Sequence, residues 1–351
     1  MRSLITGTGM YVPPFVATNE MLAKMMDTSD EWIRVRTGIE ERRYAMPGEG
    51  SSDLAVPAAR DAIADAGLEP ADIDYVVFAT MTPDYYFPGS GVLLQDKLGL
   101  GHIPCLDIRQ QCAGFVYGLQ VSDALIRSGQ ARHVLLVGAE VHTMFMPWQS
   151  WDVINGKVEG PAPPEEFARN TESRDRTVLF GDGAGAAVVS AVDADDRGVI
   201  DTLLHANGSE WQRLHTPAGG SAFRPYFTPE MYAADQHVPI VEGRKVYALA
   251  VTHMPEVTLE LLERNGMTLD DVDLVIMHQA NLRINEGVQK RLGLPDDKVF
   301  NNIQRYGNTT AGTIPIALHE ARQQGRVRDG DLVCFVGLGS GLNWGASLHR
   351  F

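Results

Sequence analysis

Two stretches, AIADAGLEPADIDYVVFATMTPD (62–84) and LLERNGMTLDDVDLVIMHQANLR (261–283), decide how the chain is read. Each runs from the end of a helical pattern through a glycine stop and an acidic turn into an apolar run. Laid over one another, Gly67 meets Gly266, Asp74 meets Asp273 and Val76 meets Val275, an offset of 266 − 67 = 199. Further on, LLVG ending at Gly138 meets CFVG ending at Gly337, and 337 − 138 is again 199. Two separate segments sharing one offset point to duplication of a whole α/β unit, and so long a period is not that of a solenoid. The expected architecture is two similar halves packed as a pseudo-dimer, divided between residues 190 and 240.

The rhythm within each half supports this. Ser51 and Ser52 are placed to cap a helix through AVPAARDAIADA to Gly67, and DYVVFAT (74–80) follows as a buried strand. HIPCLDI (102–108) and HVLLVG (133–138) read as two more strands, separated by a helix that begins near Cys112. This alternation predicts a mainly parallel sheet covered by helices. Two segments break the rhythm: residues 144–175, which are aromatic and proline-bearing, and residues 206–242, which contain TPAGGSAFRPYF. Both read either as surface connections or as pocket walls and lids.

Composition narrows the function classes. The 351 residues are 44% hydrophobic and 21% charged without a low-complexity tract, as in globular proteins. A formal charge of −15 argues against nucleic-acid binding, although local arginines can still oppose that sign for an anionic ligand. MRSLITGTGMYVPP has too short an apolar run for a signal peptide, and no 18-residue apolar run suits a membrane span. A cytoplasmic enzyme is expected. Cys105, Cys112 and Cys334 are odd in number and lack CxxC spacing, and no HExxH occurs, which speaks against a disulfide framework or a metal site.

Chemistry concentrates at three places. In DIRQQCAGFVYGLQ (107–120), Cys112 falls between a buried strand and a helix N-terminus, where backbone N–H groups and the helix dipole are expected to lower a thiol pKa. The plain alternative is a core cysteine filling a methyl-sized gap. VIMHQANLR puts His278 at the C-terminal end of a strand, where open α/β sheets present catalytic groups. YGNTTAG puts Asn308 in a polar turn before the helix TIPIALHEARQQG. Adding 199 to Cys112 gives residue 311, three beyond Asn308, so a pseudo-twofold axis would set the two to face each other. A thiol with His and Asn nearby is a covalent-catalysis constellation. The third place is GLGSGLNWGASLHRF: only ten residues follow Gly341, too few for a nucleotide-binding βαβ unit, so a tight turn exposing backbone N–H groups fits better. FGDGAGAAVVSAV (180–192) is followed by a strand rather than a helix, and neither GxxxxGK[ST] nor G-x-S-x-G is present.

With these residues in view, the sequence resembles the β-ketoacyl-[acyl-carrier-protein] synthase III family of thiolase-like condensing enzymes. The resemblance rests on DEWIRVRTGIEERR, CAGF around Cys112, FGDGAGAAV, HQANLRI, GNTTAG and WGASLHRF, and spans nearly the whole chain. It implies a five-layered α/β/α/β/α fold made of two halves, taken as 1–195 and 196–351, and a homodimer. It implies Cys112 as the acyl-accepting nucleophile, His278 and Asn308 as the groups serving decarboxylation and condensation, and the backbone N–H groups of Cys112 and Ser340 as the oxyanion hole. The substrates implied are an acyl-CoA primer and a malonyl thioester carried on an acyl carrier protein, with no metal and no further cofactor. His278 is expected to offer Nε2–H to the enolate oxygen.

Other residues follow by motif. Trp32 and Arg176 match residues that hold the CoA adenine, and Arg36 a CoA phosphate contact. Phe87, in PDYYFPGSG, matches a phenylalanine that enters the partner's acyl pocket, and Leu338 stands where the family has a pocket phenylalanine. Arg283, Lys290 and Arg291 fall where a carrier protein docks. Three departures bear on substrate identity: Leu338 with GLGSG in place of FGGG, Ala248 in place of a docking lysine, and the long 144–175 segment. GLGSGLN also resembles relatives that condense two acyl-CoAs or prime polyketides. Non-decarboxylative condensation, transfer to another acceptor, and a catalytically idle scaffold subunit are therefore the alternative expectations.

Overall fold

A computed structural model describes residues 1–351. Its frame is two five-stranded sheets. The first uses β1 (Arg2–Tyr11), β2 (Tyr75–Ala79), β3 (Cys105–Ile108), β4 (His133–Glu140) and β5 (Gly183–Val192), in the order β1-β5-β4-β2-β3. The second uses β6 (Gly198–Ala206), β7 (Leu274–Met277), β8 (Val299–Phe300), β9 (Leu332–Gly339) and β10 (Asn343–Arg350), in the order β6-β10-β9-β7-β8. The two orders are the same path through five strands, and the chain changes sheet between Val192 and Gly198. The expected mainly parallel sheet needs correction. In each sheet the last strand inserts antiparallel between the first and the fourth, so two of the four pairings are antiparallel. The glycine-rich run 180–186 thus opens an inserted strand, and the 339–343 turn closes a hairpin.

Strand alternation builds the layers. Val77, Val134 and Leu136 face inward while Val76, Phe78, Leu135 and Val137 face outward; in the second sheet Leu274 and Ile276 face inward, Val275 and Met277 outward. The inward residues meet α3 (Gly114–Arg127) and α6 (Thr313–Gln323), through Phe115, Leu119, Ile314 and Leu318, in one core between the sheets. Outward residues are covered on one side by α2 (Ser51–Asp65), and on the other by α4 (Gly243–Arg264) and α5 (Leu282–Leu292). Gly50, not Ser51 or Ser52, caps α2, with the Asp53 carboxylate accepting from Gly50 N at 2.9 Å. The 144–175 segment supplies pocket wall at its ends, through Met144, Phe145 and Asp175, and between them is no loose connection. Met146, Trp148, Val153, Ile154 and Ala162 pack a separate core with Leu22, Met25, Met26 and Tyr44, beside α1 (Asp30–Thr37).

Candidate active site

The 199-residue offset carries down to single turns. A 3-10 turn, Gln111–Ala113, leads into α3, and its counterpart Thr310–Gly312 leads into α6. Both turns are entered through a non-glycine residue with positive φ, 45° at Gln111 and 51° at Thr310. For a β-branched threonine that conformation is sterically unfavourable and is held only by its surroundings. The turns also nest on opposed glycines. A Cβ on Gly138 would lie 2.2 Å from Ala311 O, and one on Gly337 would lie 3.3 Å from Cys112 O and 3.6 Å from His278 Cβ. A methyl at 337 would therefore meet both the Cys112 backbone and the His278 side chain.

Cys112, His278 and Asn308 line one cavity of about 1500 Å³ and are 7%, 2% and 5% exposed. His278 follows β7, its backbone N donating to Val336 O at 2.9 Å. Its Nδ1 lies 2.7 Å from Thr313 Oγ1, which in turn donates to Thr310 O at 3.0 Å. That hydroxyl has one proton to give, to the carbonyl or to Nδ1, and in either arrangement Nε2 has no protein partner. Asn308 Oδ1 accepts from Thr310 N at 2.8 Å, which fixes the amide and leaves Nδ2 without a protein partner. Asn308 is itself anchored by N donating to Leu179 O at 2.8 Å and by a bridge to Phe180.

The thiol differs from expectation. Burial pushes Cys112 up to about 12, and the Glu140 carboxyl adds in the same direction, outweighing the backbone N–H at the helix entrance. It rests as a protonated thiol. Burial likewise pushes His278 down to about 3, so its ring is neutral. Glu140, which the motifs did not single out, ends β4. It accepts from Thr80 Oγ1, Met81 N, Thr82 N and Thr82 Oγ1, at 2.6–3.2 Å, and burial holds it up to about 7. A carboxylate closing an apolar strand was the available signal. Ser340 lines the cavity, its Oγ donating to Leu214 O, and a Cβ on the preceding Gly339 would come within 2.8 Å of Cys112 N. Leu338 is buried in the same wall.

At the cavity mouth Trp32 carries two guanidinium groups, Arg36 Cζ at 4.4 Å and Arg174 Cζ at 4.9 Å from the ring centroid. Arg176, the expected partner, instead pairs with Asp175 at 3.1 Å, because two positions along a four-residue helix point it elsewhere. Arg109, Arg244 and Arg283 complete a basic rim that opposes the net charge locally. Arg283 is largely engaged by Val35 O and Glu286. Arg291 reaches Val251 O and Glu256; Lys290 is exposed, and neither lines the cavity. Ala248 is exposed on α4. Phe87, 82% exposed, lies outside the chain's own cavity, whereas Tyr85 and Tyr86 line it. The 206–242 segment supplies a wall through Trp211, Phe223 and Tyr226. No cluster of His, Cys, Asp and Glu is placed to hold a metal ion, and no helix is long and apolar enough to cross a membrane.

A duplicated sheet pair with Cys, His and Asn around one buried chamber defines the thiolase-like condensing enzymes. The chain belongs to the 3-oxoacyl-[acyl-carrier-protein] synthase III family. Models of that family match residues 106–155 and 164–208, and a model of its C-terminal part matches 262–351. The β-ketoacyl-[acyl-carrier-protein] synthase III of Symbiobacterium thermophilum is 44% identical over 99% of this chain and 97% of its own. That of Geobacillus kaustophilus is 42% identical over 100% and 99%. The crystal structure of the Aquifex aeolicus enzyme matches with a TM-score of 0.85 at 39% identity, covering 99% of this chain and 100% of that one. The priming β-ketosynthase of the R1128 polyketide pathway matches at 0.84 and 31% identity, over 99% and 96%. The protein is thus a condensing acyltransferase of this family.

Proposed function

We propose that the chain takes an acyl group from acyl-CoA onto Cys112 and joins it to a malonyl thioester, borne by an acyl carrier protein, with loss of CO₂. The observation that carries this is the pair of unpartnered atoms, His278 Nε2 and Asn308 Nδ2, facing the chamber that holds the Cys112 thiol. In the first half-reaction sulfur attacks the primer carbonyl, the thioester bond to CoA breaks, and the thiol proton passes to the departing CoA thiolate. The oxyanion lies at the Cys112 and Ser340 N–H groups. In the second, with the Thr313 hydroxyl donating to Nδ1, the neutral ring holds its one hydrogen on Nε2. Nε2–H and Asn308 Nδ2 then both donate to the enolate oxygen formed when CO₂ leaves, and the enolate carbon attacks the acyl-Cys carbonyl. A neutral imidazole suits this, because a full positive charge would trap the enolate.

The arginine rim draws the CoA phosphates, and Trp32 between Arg36 and Arg174 is built to stack a purine. Phe87 is offered to a second copy, so the working form is a cytoplasmic homodimer, and all the chemistry runs on side chains without metal or further cofactor. Arg283, Lys290 and Arg291 form the flank that an acidic carrier protein meets. Residues 1–195 and 196–351 are the duplicated units. Intact-protein mass spectrometry after incubation with acyl-CoAs tests the reading: wild type gains one acyl mass and Cys112→Ala gains none. Adding malonyl-carrier protein discharges the label with release of CO₂ and a β-ketoacyl product. Labelling that persists in Cys112→Ala, or discharge by a second acyl-CoA without CO₂, overturns it. Asn308→Asp, which places a carboxylate where the enolate forms, reduces decarboxylation about 100-fold or more.

A further inference from the structure

Several polar side chains of the chamber have no part in that chemistry, and the most deeply buried histidine among them is His142. His142 opens the turn His142–Phe145 just beyond β4 and is 1% exposed. Its ring lies flat on Phe180, with centroids 3.6 Å apart and planes 3° apart, and Phe145 meets it edge-on at 5.3 Å. Its backbone setting is pinned, since Asp182 accepts from Thr143 N at 3.0 Å and from Thr143 Oγ1 at 2.7 Å. Neither ring nitrogen has a hydrogen-bond partner, and the residue lines the same cavity as Cys112, His278 and Asn308. Leaving a buried polar group unpaired costs about 1–3 kcal/mol. His278 Nε2 is in the same condition for a purpose, as an atom reserved for substrate.

We propose that the acyl pocket selects a primer bearing a hydroxyl or keto oxygen along its chain, with His142 as the residue that recognises that oxygen. Burial pushes His142 down to about 3, so the ring is neutral and offers one N–H donor and one lone-pair acceptor. A hydroxyl can satisfy either nitrogen and a ketone the donor, while a saturated chain leaves both unpaired. Thr310 Oγ1 and Gln111 Oε1, also unpartnered and on the same cavity, add further polar valence. Met81, Phe145, Phe180 and Leu338 supply apolar wall for the alkyl stem. A pocket built to hydrogen-bond an oxygen rejects the analogue lacking it far more strongly than it counts methylenes. A carboxylate is the poorer match, since the aromatic setting that keeps the ring neutral also opposes burying an anion.

This inference rests on Cys112 being the acyl acceptor, and its test separates the two. Rates of Cys112 acylation are measured by mass spectrometry for matched pairs: butanoyl- and 3-hydroxybutanoyl-CoA, pentanoyl- and 4-oxopentanoyl-CoA, hexanoyl- and 5-hydroxyhexanoyl-CoA. Wild type loads the oxygenated member of at least one pair tenfold or more faster, and His142→Leu and His142→Phe abolish or invert that ratio. His142→Phe keeps a ring on Phe180 without nitrogens, so it serves where leucine fails to fold, as judged by thermal melting. Wild type loading every alkyl member as fast as its partner overturns the inference alone. An unchanged ratio in a folded variant does the same. No loading of any primer overturns it together with the function above.

Discussion

Thr313 is the residue on which the chemistry turns, because its hydroxyl, 2.7 Å from His278 Nδ1, can hold the ring in the form that carries hydrogen on Nε2. Thr313→Val loses that hold, and kcat for decarboxylation falls roughly 10- to 100-fold, while Thr313→Ser recovers most of the loss. Separate assays of acyl loading and CO₂ release check this; a valine variant as active as wild type would remove Thr313 from the mechanism. At Trp32 the two arginines make opposing expectations. Arg174→Ala raises KM for acyl-CoA about fivefold, in keeping with a lost cation–π contact of about 1 kcal/mol, whereas Arg176→Ala leaves KM nearly where it was. Cys112, His278 and Asn308 were legible in the sequence because each is punctuated by glycines or lies at a strand end. Arg174 was not, since which of two arginines faces a ring depends on the phase of a one-turn helix. His142 was not either: a polar residue just past an apolar strand reads the same whether its partners are present or missing, whereas Glu140, a carboxylate closing that strand, left a signal that no motif picked up.

At the scale of elements, the two central helices are brought together by glycines whose roles differ. Gly138 admits the Ala311 carbonyl, and a methyl there would sit 2.2 Å from it, so Gly138→Ala destabilises by about 3 kcal/mol or more. Gly337→Ala meets Cys112 O at 3.3 Å and His278 Cβ at 3.6 Å, a fit that a few tenths of an ångström relieves. It is therefore expected to shift the melting temperature little while lowering kcat. Thermal melts and kinetics on the two variants distinguish stability from alignment; equal melting temperatures would contradict this reading of the packing. The strands were readable from their apolar runs, but strand direction was not. An inserted antiparallel strand and a parallel one are both buried on two faces and carry the same residues. Nor did residues 144–175 disclose their core: Trp148 and Trp151 read as surface aromatics until Tyr44 is seen 5.6 and 6.2 Å from them.

The whole molecule carries its buried titratable groups in opposition. His142, His278 and His349 are each held down to about 3, so each binds a proton on unfolding between that value and about 6.5. Stability from them is full above pH 6.5 and is lost as pH falls. Glu140, held up to about 7, and Asp182, up to about 6, bind protons in the folded state over an overlapping range and work the other way. The net is an uptake of about one to two protons on unfolding between pH 4 and 6, or about 1–3 kcal/mol of stability lost per unit of acidification. Denaturant titrations across that range measure it, and stability that rises as pH is lowered would reverse the sign. The symmetry of the fold also sets a limit on how many primers one chain can hold. Stepping back 199 residues from His278 and Thr313 gives Ala79 and Gly114, and a Cβ on Gly114 would lie 2.9 Å from that of Ala79 and 3.2 Å from that of Ala311. The equivalent seat is thus filled by the Ala79 and Ala311 methyl groups, close against Gly114, where an imidazole and a hydroxyl would have to go. Loading saturates at a single thioester per polypeptide, and no simple exchange of side chains can awaken a twin.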